Sequence, residues 1–592
     1  MLPRYTNKSD RPCDICQNVN IFELLVITQY NYSSKESNKI ALDWIDNLAS
    51  RTHCPLCRLV VHCLRQTYSS CLPPHFWNDG LIDGRRAKCF IQCDLPRDHK
   101  STFGSLLVTT EPSLKDLLDH SLKTPDTTNL ASPTAVLLSE GCIDFRRASY
   151  RVKRRRLWPD VSLELLKAWI TICCEVHPYS CGELPGFMRV IDLDNGCLVD
   201  ASPGCRYVTL SYVWGEGQNF SLKRSIKRSL YQPGSLSSDM RELPWTIRDF
   251  LVAVVGLGEG YAWVDSLCIV QDDPLDVQQN VQAMDVIFKN AVATIVAASG
   301  TCADSGLPGV RLGTRQPVQG REIINRMALG AALPPLNRVI ETSTWNSRGW
   351  TYQENVLSHR VLFFTDSQVH YKCKQGCTAC EETWEDDYDM SNSDNKVAVM
   401  HSYEPNMLSK TDAADTHQGL LTNLGWWKHH VYEMCRRKTR EPKDRFHALE
   451  GVLAQLRSLF DDHEFVCGLP TTALDIALLW HPQGSSFRNV AIDNSGVALP
   501  SWSWVGWTGD IWYRMWNICE TSSPKITWID MTRPGPLRRR RFTAKTCGTL
   551  SQKWLDDHNW RRELNTSCAG SYYLKESSDS VRYSYLIDFK PL

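Results

Sequence analysis

The sequence predicts an α/β protein built on an open, mainly parallel sheet flanked by helices, and three features predict it. Mostly apolar runs RYVTLSYV (206–213), YAWVDSLCIV (261–270) and AVATIVAAS (291–299) have the character of strands covered on both faces. Between them lie helical patterns. Ile247, Phe250, Leu251, Val254 and Val255 share one face of the first, and Val277, Val281, Met284 and Phe288 mark the second. Gly256, Gly258 and Gly260, then Asp272, Asp273 and Pro274, punctuate the alternation, which implies right-handed crossovers.

Residues 1–187 read as a Cys-containing adaptor region, with helical apolar spacing at 21–25, 40–48 and 161–172. MRVIDLDNGCLV (188–199) predicts a hairpin turning at Asp194, Asn195 and Gly196 and opens the α/β core, 188–380. The glycine- and proline-rich stretch 301–345 reads as an insertion or loop. SRGWTYQENVLSHR (347–360) resumes a helix, and RVLFFTDSQVHYKC (360–373) alternates as a hairpin around Asp366 and Ser367. An acidic flexible loop is expected at 381–418, and a mixed α/β region, 419–592, with helices at 420–437 and 442–456, completes the chain. LPSWSWVGWTG (499–509) is strand-like, and the tail beyond it reads as β-rich.

With 592 residues and 42% hydrophobic content the chain can build large cores. Formal net charge is zero at pH 7, so no global field favours nucleic acid or an anionic membrane. The basic runs at 151–156 and 538–541 lack interleaved aromatics and read as solvated loops. The expectation is a cytoplasmic protein with no membrane span and no nucleic-acid partner. The 24 cysteines suit buried thiols or metal ligands better than a disulfide framework.

Phosphate-cradling G-x-x-x-x-G-K-[ST], H-E-x-x-H and G-x-S-x-G motifs are missing, and GLGEG (256–260) follows a helix and precedes a strand, the reverse of a dinucleotide loop. In an open parallel sheet ligands bind outside the carboxyl ends of the strands. Those ends carry Ser211, Tyr212, Trp214, Asp265, Ser266 and Ser299, with acids Glu216, Asp272 and Asp273 nearby. Ser211, Tyr212, Trp214, Asp265 and Trp350 are the candidate binding residues. A carboxylate beside tryptophan suits chemistry on a sugar-bearing cofactor, because the ring stacks on a base while the acid holds a ribose or stabilises an oxocarbenium-like centre. Alternatively, Asp265 caps the next turn and Trp214, Trp263 and Trp350 anchor the core.

The ordered blocks YVTLSYVWG, LPWTIRDFLVAVVGLGEGYAWVDSLCIVQDD, MDVIFKNAVATIVAAS, SRGWTYQENVLSHRVLFF, PKDRFHALEGVL and LPSWSW, spanning about 207–504, closely resemble the fungal heterokaryon incompatibility (HET) domain and its usual downstream region. The resemblance implies an effector of fungal nonself recognition that triggers regulated cell death, with self-association and an incompatibility partner. VTLSYVWG and AWVDSLCIVQDD are also similar to the first two strand motifs of TIR domains, which implies a TIR/flavodoxin-like core. Some TIR domains cleave NAD with a glutamate shortly after a tryptophan. Trp350 to Glu354 keeps that spacing, so this likeness makes Glu354 the candidate catalytic acid and NAD the candidate substrate; the other role open to Glu354 is capping, or pairing with Arg348 or Arg360.

Cys13-x-x-Cys16 and Cys54-x-x-Cys57 form two knuckles of the kind a structural zinc site uses. CPLCRLVVHCL (54–64) also reads as a helix that buries its cysteines. A zinc-stapled regulator without activity is the third functional reading. Two weaker sets each lack a fourth ligand in sequence: Cys373, Cys377 and Cys380, and Cys174, His177 and Cys181.

Overall fold

The computed structural model describes residues 11–24, 39–68, 75–94, 105–114, 135–151, 157–382, 417–488, 503–512, 560–562 and 572–574, with shorter gaps inside some of these ranges. The acidic stretch expected to be a flexible loop, most of the helix expected at 21–25 and nearly all of both basic runs lie outside them. Two large sheets organise the described residues.

The first sheet begins with β1 (Lys39–Trp44), β2 (Lys88–Asp94), β3 (Ser105–Glu111) and β4 (Ala135–Ser139), paired antiparallel in that order. The helix expected over 40–48 is therefore only half present. Ile40 pairs with Ile91 and Leu42 is buried while Ala41 is exposed, so this segment alternates as a strand before α1 (Ile45–Ser50) starts. Sheet pairing overrode a helical spacing too short to decide the matter. Helix α2 (Pro55–Tyr68) covers the sheet, and Leu56, Leu59, Val60 and Leu64 join Ile91, Leu106 and Val108 in one apolar cluster.

Helix α3 (Leu163–Val176), capped by the Ser162 hydroxyl accepting from the Leu165 amide at 3.3 Å, buries Leu166, Trp169, Ile170 and Cys173, one i, i+3, i+4, i+7 stripe. The second sheet starts with the expected hairpin, β5 (Arg189–Asp192) and β6 (Cys197–Asp200). Then come β7 (Val208–Ser211), α4 (Trp245–Leu257), β8 (Tyr261–Trp263), the single turn α5 (Asp265–Cys268), α6 (Pro274–Gln282), α7 (Met284–Asn290) and β9 (Ala293–Ala297). The helix expected through Val277 and Phe288 is broken at Ala283, which closes α6 and opens α7.

The stretch 301–345 is more than a loop. It contains a hairpin, β10 (Arg321–Ile324) and β11 (Met327–Ala331), and a short helix, α8 (Leu336–Glu341). The hairpin joins the first sheet, where β11 pairs antiparallel with β4, and the Glu322 carboxylate accepts twin bonds from Arg58 of α2 at 2.7 and 2.8 Å. After it follow α9 (Gly349–Leu357), β12 (Arg360–Phe364), β13 (Val369–Cys373) and β14 (Thr378–Cys380).

The eight-stranded sheet runs β6-β5-β8-β7-β9-β12-β13-β14, and its four central strands are parallel. In chain order those four stand 2-1-3-4, so the topological switch point lies between β7 and β9, where a doubly wound sheet opens a crevice. Helices α10 (His417–Cys435) and α11 (Asp444–Leu456) pack on α9. Beyond them, the aromatic run expected to be one strand is a turn of 3₁₀ helix, Trp504–Gly506, followed by the two-residue strand Trp507–Thr508.

Where the chain leaves β7, Gly215 adopts φ 79°, and a Cβ there would sit 2.6 Å from the Cys302 Cβ. Gly204, at φ 75°, faces open space. Both glycines meet the left-handed cost of roughly 1 kcal/mol on substitution, but only Gly215→Ala also meets a clash. Chemical denaturation should therefore show Gly215→Ala destabilised by at least about 1 kcal/mol more than Gly204→Ala; equal losses would mean the turn relaxes freely.

Candidate functional site

The switch point is occupied by a buried polar cluster. Ser211 ends β7, its hydroxyl donates to Glu354 Oε2, and it accepts from the Trp345 indole N–H at 2.8 Å. Glu354 lies in the middle of α9 with 8% of its surface exposed. Behind it the hydroxyls of Thr209, Thr294 and Ser358 run in a chain with spacings of 2.7 and 2.5 Å that ends on the Glu354 main-chain carbonyl. This chain locks α9 against β7 and β9.

Asp265 stands one strand over, just past β8. Its Oδ2 accepts the Trp214 indole N–H at 2.9 Å and its Oδ1 accepts the Ser266 amide at 2.7 Å. Tyr212 is buried, donates to the Ser266 hydroxyl at 3.0 Å and stacks on Trp214 with ring centres 6.5 Å apart. Arg348 donates to the Tyr212 carbonyl at 2.9 Å. Ser211, Tyr212, Trp214, Asp265 and Glu354 thus meet at one edge. Trp350 is half-buried against the main core, one helical turn before Glu354 on the same face.

Electrostatics follow from this burial. Loss of water pushes Glu354 up to about 7, and the Asp265 charge adds to the rise, while Ser211 and Arg348 oppose it. Burial also pushes Asp265 up to about 6 against the Ser266 amide, Arg348 and Trp214. Two carboxyls within each other's field, one of them protonated near neutrality, form an arrangement able to give and take protons. The pairing considered for Glu354 resolves in part: Arg348 acts on it through space, whereas Arg360 donates to the Val292 and His177 carbonyls.

Asp272 and Asp273 serve structure. Asp272 accepts the Arg224 amide at 2.8 Å, and Asp273 caps α6 and pairs with the Arg224 guanidinium at 2.8 Å. Trp345, which anchors Ser211, escaped the sequence reading because it sat inside the presumed insertion. Its signal was available as one more tryptophan at the entry to the RGW helix.

Distal to this edge, Cys13, Cys16, Cys54 and Cys57 bring their sulfurs within 4.8 Å of one another, and the cluster can hold a metal ion. The Cys57 sulfur lies 3.8 Å from that of Cys13 and 3.6 Å from that of Cys16. Four thiolates around zinc at about 2.3 Å sit about 3.8 Å apart, so the spacing fits. Hydrogen bonds from the Cys16 and Cys57 thiols hold Cys54 far below an ordinary thiol.

Residues 207–354 match the model of the heterokaryon incompatibility protein family, HET. The chain carries a HET domain. The matched segment opens on the strand that holds Ser211 and closes on Glu354, so it contains the whole acid cluster. The HET match supports a heterokaryon incompatibility-type role. No curated protein and no solved structure matches the chain significantly.

Because both carboxyls titrate higher folded than unfolded, the folded protein keeps protons that the unfolded chain releases as pH rises from about 4 to about 7, and stability falls across that window. Glu354→Gln keeps an oxygen for Ser211 and removes one of these penalties. Relative to wild type it should gain roughly 3 kcal/mol between pH 4.5 and pH 8. Denaturation at both pH values measures this, and a gain that does not change with pH refutes a raised Glu354.

Proposed function

We propose that the chain is an effector of nonself recognition in which the HET domain triggers regulated cell death from the cytoplasm through self-association and signalling. The HET match carries this reading. Trp214, Asp265 and the RGW helix then have the task of holding the signalling surface in shape.

The Asp265–Glu354 pair favours a second reading, cleavage of NAD in the manner of TIR domains. There the bond from ribose to nicotinamide breaks, the ribosyl centre becomes oxocarbenium-like, and water adds to give ADP-ribose, nicotinamide and a proton. Glu354, ionised, would stabilise the positive centre, and Asp265 would fix Trp214 for stacking. A depression lined by Asp239, Arg241, Leu243, Trp245, Arg248 and Asp304 is joined to Trp214 through the 303–304 loop, where the Trp214 carbonyl accepts the Ala303 amide at 3.3 Å and Asp304 accepts the Trp245 amide at 3.2 Å; its two acids balance its two arginines, so it does not select a diphosphate. For the four-cysteine cluster we propose zinc as a structural staple of the N-terminal region.

Induced expression of the full chain in a filamentous fungal host, beside Glu354→Gln, separates the readings by viability and NAD content. Death with NAD loss, both abolished by Glu354→Gln, supports cleavage. Death that survives Glu354→Gln with NAD intact supports signalling by association, and no death overturns the effector reading in favour of a regulator. If purified protein cleaves NAD, the rate should rise with pH through about 7 as Glu354 ionises; a rate that falls over that range would remove Glu354 as the stabilising carboxylate.

A further inference from the structure

We propose that Cys173, His177, Cys373 and Cys377 form a second metal site, of three thiolates and one imidazole, which takes zinc and clamps the helix before the HET domain to the hairpin after it. The His177 Nδ1 is the common point. It lies 3.7 Å from the Cys173 sulfur, 3.7 Å from that of Cys373 and 3.8 Å from that of Cys377. Cys173, His177 and Cys373 place their donor atoms within 4.8 Å of one another; Cys377 reaches His177 but lies outside that limit from another member, so it would have to move inward to complete the set.

The elements explain the convergence. Cys173 and His177 stand four residues apart at the end of α3, so they share a face. Cys373 ends β13, and the turn that follows folds back so that its amide donates to the Cys377 carbonyl at 2.8 Å, with Gly376 at φ 90° making the turn possible. Cys173 and Cys373 are buried, and His177 and Cys377 are half-buried. Three soft sulfurs and one nitrogen suit tetrahedral zinc and leave no open position for a substrate, as in a structural site.

The surroundings fit a thiolate cluster. Loading a divalent ion expels three thiol protons and leaves a net charge of −1. The Arg360 guanidinium answers it, reaching the Cys173 sulfur at 3.4 Å and the His177 carbonyl at 2.9 Å. The buried Tyr371 hydroxyl faces the Cys173 sulfur, and a metal-held thiolate there would accept its hydrogen bond. Cys380 is not part of the set. Its register partner is His370, three residues before Cys373 on β13. Of the two half-sets read from sequence the site keeps His177, Cys373 and Cys377 and takes Cys173 in place of Cys174, while Cys181 lies outside the described residues.

Metal analysis of the full-length protein tests this. Wild type should carry two zinc ions per chain, the Cys16→Ser/Cys57→Ser variant one, and the Cys373→Ser/Cys377→Ser variant one. A wild type with a single zinc lost only in the second variant keeps this site and removes the four-cysteine one. Zinc content unchanged by Cys373→Ser/Cys377→Ser overturns the proposal, as does metal-free protein with these cysteines joined in disulfides. Should the double variant fail to fold, His177→Cys decides: it should retain the metal and convert the cobalt-substituted absorption from that of three thiolates to that of four. An unaltered cobalt spectrum overturns the site.

Discussion

Burying a carboxyl group costs several kcal/mol unless neighbours supply hydrogen bonds or opposite charge, and this protein buries Asp265 and Glu354 within each other's electrostatic reach. Much of the sheet edge is arranged to meet that demand. Ser211 and the Ser266 amide donate to the carboxyls, the Trp214 indole donates to Asp265, and Trp345 keeps Ser211 turned toward Glu354. Arg348 lends positive charge without a direct bond to either acid. A single substitution here reaches three strands and a helix at once.

The region after the HET match belongs to the same arrangement. The Gly349 amide donates to the Lys438 carbonyl at 2.8 Å, Lys438 returns a bond to the Ser347 carbonyl at 2.6 Å, and Arg437 reaches Asn346 at 2.6 Å. Tyr352 meets His430 at 2.6 Å. The entry to α9 is therefore held by residues about ninety positions downstream, and the orientation of Glu354 depends on helices outside the matched segment.

What was legible in the sequence was whatever repeats with a period. Buried strands between amphipathic helices announced β7, β9 and the start of β8, whose expected run to Val270 stops at Trp263 where the turn α5 begins, and strand-end polarity announced Ser211 and Asp265. The β10–β11 hairpin stayed hidden because its partner, β4, lies some 190 residues earlier in the chain and pairing at that distance leaves no local pattern. The same holds for Cys173 and Cys373, whose halves are each three-residue spacings with no fourth ligand nearby. Trp345 carried a signal, but composition around it argued for loop.

The hairpin at 321–331 has a consequence for the order in which the protein is made. It leaves the HET-matched segment, supplies two strands to the N-terminal sheet and returns, so that sheet stays incomplete until residue 331 has emerged from the ribosome. Until then β4 presents a bare edge, open to unwanted pairing. The dependence runs one way: the second sheet draws all its strands from residues 189–380, whereas a cut before residue 189 would leave the first sheet with an uncovered edge and the hairpin without its partner.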